Sequence, residues 1–112
     1  MTYHKTFYMN ISAQVKNLTP YELIYILRAD LTEEITLQVI EKYEHLLYTL
    51  GAKKIIVHNR GRRQLAYPIQ KLKDGIYIQI SFKANGEIIK SIQKSLKVSD
   101  EIIRYMISRN VK

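Results

Sequence analysis

Gly61-Arg62-Arg63-Gln64-Leu65-Ala66-Tyr67-Pro68-Ile69 is the stretch of this chain best equipped for chemistry, and the chemistry is that of holding an anion. It lies in a window from Lys53 to Lys73 with seven positive side chains (Lys53, Lys54, Arg60, Arg62, Arg63, Lys71, Lys73) and no Asp or Glu. Guanidinium groups fork onto phosphate oxygens and stack on exposed bases, and a tyrosine among them adds a ring and a donor. Such a strip suits a polyanion with a structured surface, folded RNA above all. The residues expected at RNA are Lys53, Lys54, Arg60, Arg62, Arg63, Tyr67 and Lys71. For Tyr67-Pro68-Ile69 the plain structural alternative is a packed strand end.

Nothing else in the chain assembles into a reaction centre. His4, His45 and His58 stand in three different elements, with no second ligand at a metal-binding spacing. Glu33-Glu34 and Glu41/Glu44 belong to the first turn and solvent face of a helix. No glycine-rich phosphate loop occurs. The chain has no cysteine, which removes disulfides, thiolate metal sites and a thiol nucleophile. The expectation is therefore no enzyme, no metal, no cofactor and no small-molecule substrate.

The balance of charge agrees. The 112 residues carry a net charge of +8. Residues 20–52 are acidic by four charges, residues 74–101 are neutral, and the 53–73 window alone contributes seven positive charges. An acidic partner follows, with nucleic acid ahead of a membrane surface. No apolar run approaches the roughly 18–20 residues of a membrane span. The length suits one domain with a single core. Ile, Lys and Tyr are abundant while Ala and Gly are scarce, the bias of an AT-rich gene such as an organelle genome carries.

The elements that must position the basic window follow from periodicity. Tyr21 to Arg28 reads as a strand, with Leu23, Tyr25 and Leu27 on one face and Glu22, Ile24, Ile26 and Arg28 on the other. Asp30 or Thr32 caps a helix whose stripe is Ile35, Val39, Tyr43, Leu46 and Leu50, and Gly51 stops it. Lys53 to Ile69 is extended, with a kink or bulge at Gly61, a turn at Arg62-Arg63, and a closing Asp-Gly turn over Leu72–Gly75. Ile76, Ile78, Ile80 and Phe82 then alternate with Tyr77, Gln79 and Ser81. A second helix opens at Asn85-Gly86 and buries Ile88/Ile89, Ile92 and Leu96. A last strand runs from Ile102 to Ser108.

The order β-α-β-β-α-β with right-handed crossovers is an α+β ferredoxin-like plait: a four-stranded antiparallel sheet with both helices on one face. Residues 1–19 form an N-terminal extension and residues 20–112 a single domain. Many RNA binders of this fold stack bases on the third strand through a K/R-G-F/Y-G/A-F-V-x-F/Y consensus. Gly75-Ile76-Tyr77-Ile78-Gln79-Ile80-Ser81-Phe82 fails it at most positions. The open sheet face instead shows Ile24, Ile26, Tyr77 and Gln79, with Glu22 among them, a surface better suited to a protein partner.

The string Arg-Arg-x-Leu-Ala-Tyr-Pro-Ile at 62–69, with Lys71 after it, resembles the signature of the bacterial-type small-subunit ribosomal protein number six family. Tyr21-Glu22-Leu23, Leu50-Gly51-Ala52, Gly75-Ile76-Tyr77 and Ile102-Ile103-Arg104-Tyr105-Met106 fall at that family's spacings. The resemblance spans about residues 20–110. It implies a plait domain that binds the central domain of small-subunit ribosomal RNA as a heterodimer with small-subunit ribosomal protein number eighteen. The nineteen-residue extension departs from the family's usual start, while the composition and the basic end Arg109-Asn110-Val111-Lys112, where many bacterial members carry an acidic tail, favour a plastid member, with a bacterial (for instance cyanobacterial) one as the alternative. The competing function is a non-catalytic regulatory plait that dimerises or binds a metabolite.

Overall fold

β-Branched and aromatic alternation builds the central strand β1 (Thr19–Arg28), whose Leu23, Tyr25 and Leu27 are fully buried. The computed structural model describes residues 18–69 and 72–109, so only the last two residues of the expected extension are in view. After β1 come α1 (Glu33–Thr49), β2 (Lys53–Ile69), β3 (Leu72–Ala84), α2 (Gly86–Lys97) and β4 (Ile102–Arg109), in the order the periodicity implies. The strands form one sheet in the order β2-β3-β1-β4, and every neighbouring pair is antiparallel.

The core lies on one face of this sheet. Leu23, Tyr25 and Leu27 meet Ile78, Ile80 and Phe82 there, and Val39, Ile40, Tyr43 and Leu47 of α1 and Ile88, Ile92 and Leu96 of α2 cover them. The fold is thus the expected plait, with both helices on one side. The Tyr43 hydroxyl donates to the Ser95 carbonyl at 3.3 Å and ties the two helices together.

The helix ends follow their capping residues. Thr32 caps α1, its Oγ1 accepting from the Ile35 amide at 3.2 Å, whereas Asp30 is taken by a two-bond fork from Arg28. Asn85 caps α2 in the same way, through the Ile88 amide at 3.0 Å. Gly51 ends α1 in the left-handed region at φ 100°. The buried stripe of α1 is rotated from the expected one: Thr36, Val39, Ile40, Tyr43 and Leu47 go inward, while Ile35 is 38% exposed. Thr36 can be buried because its hydroxyl donates to the Thr32 carbonyl at 2.9 Å.

The β2–β3 hairpin departs most from expectation. Leu72–Gly75 is strand, with Asp74 opposite Gln64 and Gly75 opposite Arg63, so the expected turn there does not form. Arg62 and Arg63 are likewise strand residues. At about 3.3 Å per residue, the 17 residues of β2 span roughly 56 Å. That contour length makes β2 the longest strand among the described residues.

Candidate nucleic-acid interface

Two bulges decide where the basic side chains of β2 point. Between Lys53 and Ile56 the register slips at Lys54, which adopts φ 52°; between Asn59 and Gly61 it slips again, with Arg60 as the extra residue. Gly61 takes φ 84°, and the Asn59 side-chain oxygen accepts from its amide at 2.8 Å. A bulge reverses the alternation beyond it, because side chains along a strand have a period of two. Gly61 therefore lies opposite Tyr77 and Arg63 opposite Gly75, on the helix-free face, whereas Arg62 lies opposite Ile76 on the other. The two adjacent arginines are parted by their strand.

Each guanidinium has a different partner. Arg62 is ion-paired with Asp74 at 3.2 Å. Arg63 sits over the Tyr77 ring, 5.9 Å from its centroid. Arg60 donates through Nε to the Gln79 side-chain oxygen at 2.9 Å, and the Gln79 amide nitrogen donates in turn to Glu22. A polar line thus crosses β2, β3 and β1 on the open face. Lys53 and Lys54 stand apart at the start of β2, roughly 30 Å of strand from Arg62 and Arg63, beside a cavity also lined by Glu41 and Glu44. The single strip read from sequence is therefore two basic clusters. Lys71 lies outside the described residues.

Tyr67 reaches across the sheet. Arg104 of β4 donates to its hydroxyl at 3.3 Å and lies 5.9 Å from its ring centroid. In the order β2-β3-β1-β4 the two side chains therefore meet across β3 and β1, over the open face. Leu65, buried beneath, fills the space next to Gly75 and Ile26. The hydrogen bond from Arg104, helped by its charge, holds the Tyr67 phenol below its ordinary pKa. Tyr67 is nevertheless 60% exposed and is no packed strand end.

The same end of β2 changes the expected protein-binding face. Ile26 is only 9% exposed, because Leu65 covers it; Ile24, Tyr77 and Gln79 are half-buried. Two apolar side chains missing from the expectation take up the exposure: Met106, opposite Ile24, is 58% exposed, and Ile56, opposite Ser81, is 53%. Arg104 is a third addition, opposite Ile26. Alternation along β4 signals both of its residues, since Tyr105 and Ile107 pack against the core and leave Arg104 and Met106 on the other side. Among the described residues no group of His, Asp and Glu could hold a metal ion.

Comparison with known proteins gives one family throughout. The family model described as ribosomal protein S6 matches residues 20–109. The small ribosomal subunit protein bS6c of Pyropia yezoensis is 44% identical over 105 residues, covering 91% of this chain and 96% of that one. The small ribosomal subunit protein bS6 of a Cyanothece strain is 45% identical, covering 77% and 81%. The crystal structure of the 30S ribosomal protein S6 of Thermotoga maritima superposes with a TM-score of 0.79 at 27% identity, covering 84% of this chain and 89% of that one.

Proposed function

Because the chain belongs to the ribosomal protein S6 family, as a small-subunit protein of the plastid or bacterial ribosome, we propose that it holds small-subunit ribosomal RNA along its β2–β3 hairpin. The same reading gives the RNA's central domain as the target and small-subunit ribosomal protein number eighteen as a partner on the open sheet face. Catalysis has no place in it: the relatives are structural ribosomal proteins. The regulatory plait, the competing function on sequence alone, is displaced.

The observation that carries the RNA reading is the pairing of cations along the hairpin. All ten acidic side chains of the protein lie among the described residues, yet of the basic residues in the 53–73 window that are described only Arg62 meets one of them within ion-pair distance. Lys53, Lys54, Arg60, Arg63 and Lys73 remain exposed and unneutralised. Lys53, Lys54 and Lys73, which have no side-chain partner of any kind among the described residues, are what phosphate contacts need, and they put the affinity under counterion control. Exposed Ile56 and Met106 with half-buried Ile24 support a protein on the open face.

Binding to a central-domain fragment of small-subunit ribosomal RNA should fall steeply with salt. Changing Lys53 or Lys54 to Gln should lower the log–log salt slope by about 0.7–0.9 for each phosphate no longer neutralised, with the thermal transition unchanged. Unaltered slopes in both variants, together with normal incorporation into subunits, would remove the hairpin from the RNA site.

A further inference from the structure

The open face holds a feature that RNA binding does not use well. Arg60 and Arg63 line one shallow cavity of about 240 Å³ with Ile24, Tyr77, Ile78 and Gln79. Both guanidiniums are held in place: Arg60 by the Gln79 oxygen at its Nε, Arg63 by the Tyr77 ring. Among the described residues neither has a carboxylate within ion-pair distance. Two positioned cations at one notch repel each other until an anion lies between them. Using only Nε of Arg60 for Gln79 leaves its two terminal amino groups free to donate.

The neighbours of the notch select the kind of anion. Glu22 lies one strand further across the same face, bonded to Gln79, and Met106 is exposed beyond Ile24. A phosphate chain crossing the notch would carry its next charges onto Glu22 and its sugars onto apolar side chains. A protein segment brings one carboxylate at one point and apolar neighbours around it. From this we infer that the Arg60–Arg63 notch receives an Asp or Glu side chain of the partner protein, an inference that rests on the partner reading above. Gln79 acts as a positioning residue, setting the plane of Arg60 while its own amide is anchored on Glu22. The basic hairpin then divides in two, with Arg60 and Arg63 turned to protein and Lys53, Lys54 and Lys73 left to RNA.

The test measures the affinity of the full chain for purified small-subunit ribosomal protein number eighteen of the same ribosome, by calorimetry. A charge-assisted hydrogen bond at an interface contributes about 1.5–3 kcal/mol, so Arg60→Gln and Arg63→Gln should each weaken the complex about 10- to 100-fold. Lys90→Gln, on the exposed side of α2, should leave it unchanged. Gln79→Leu should weaken it several-fold alone and add nothing in the Arg60→Gln background, which separates positioning from contact. Binding of the same variants to the RNA fragment should stay within about twofold of wild type. A partner that binds wild type and both Arg variants equally would overturn the notch and spare the partner reading. Failure of the wild type to bind the partner would overturn both. Loss of RNA affinity with partner affinity intact would show a phosphate site instead and overturn the inference.

Discussion

Changing Gly75 to Ala should unsettle the hairpin through a steric clash, with the backbone conformation playing no part. A methyl group there would overlap the Ile26 Cγ2, well inside van der Waals distance, and would sit 3.6 Å from the Leu65 Cδ2. Cγ2 is attached directly to Cβ of Ile26, so it moves only if χ1 rotates or the strands part. Overpacking of this kind costs about 1–3 kcal/mol. For a domain of this size that lowers the melting temperature by roughly 4–8 °C per kcal/mol. Ile26→Ala alone should cost about 2–5 kcal/mol by leaving a void under Leu65. In the double variant the obstructing atom is gone, so its stability should match Ile26→Ala and the two effects should fail to add by about 1–3 kcal/mol. Thermal and guanidinium unfolding followed by circular dichroism measure all four proteins. Strict additivity, or a Gly75→Ala melting temperature equal to wild type, would refute the close-approach account. Gly61→Ala is the contrast: no atom of the described residues lies within 4 Å of its would-be methyl group, so its cost is that of the left-handed backbone, about 1–2 kcal/mol.

Thr32→Ala should cost about 1 kcal/mol through loss of the α1 cap, read from the unfolding midpoint, while Asp30→Ala should cost less because Asp30 caps nothing. Tyr25→Phe should leave stability at pH 7 equal or higher, since the Tyr25 hydroxyl is buried without a partner among the described residues. Burial, with Tyr43 and then Glu44 beside it, raises the Tyr25 pKa well above the ordinary 10. The wild type therefore keeps this contribution in full below pH 10 and loses stability as pH climbs beyond it; Tyr25→Phe should flatten that alkaline decline in urea unfolding. Arg104→Gln should return the Tyr67 phenol upward to its ordinary titration, seen by ultraviolet absorbance against a Tyr67→Phe control.

The elements and their order are legible in the sequence because the core obeys two periods. Leu23, Tyr25, Leu27, Ile78, Ile80 and Phe82 alternate, and Ile88, Ile92 and Leu96 recur at helical spacing, so burial and pattern coincide. The α1 stripe is not legible to the same degree because Thr36 looks polar; its inward placement depends on a hydroxyl bond to Thr32, which no hydropathy pattern encodes. Gly75 is legible as a glycine with a reason, but its sequence context suggests the wrong one. Asp74-Gly75 has the composition of a turn, whereas the structure uses the missing side chain to let Ile26 approach inside a strand. The contact between Tyr67 and Arg104 across the open face cannot be read at all, since it joins side chains 37 residues apart in sequence that only the assembled sheet brings together.

The arginine pair shows why a basic window does not translate directly into a basic surface. In a regular strand the side chains of residues 60 and 62 share one face and that of 63 takes the other. One extra residue, accommodated because Gly61 takes a positive φ without penalty, puts 60 and 63 together and sends 62 to the opposite side. Asp74 is positioned to meet Arg62, and Tyr77 and Gln79 to meet Arg63 and Arg60, only with that bulge in place. Gly61 thus determines which cations are available on the face that carries Ile24 and Met106. Its place at the head of the Arg-Arg-x-Leu-Ala-Tyr-Pro-Ile string follows from that geometry: the glycine sets the facing of Arg62, Arg63 and Gln64 before the register shifts again.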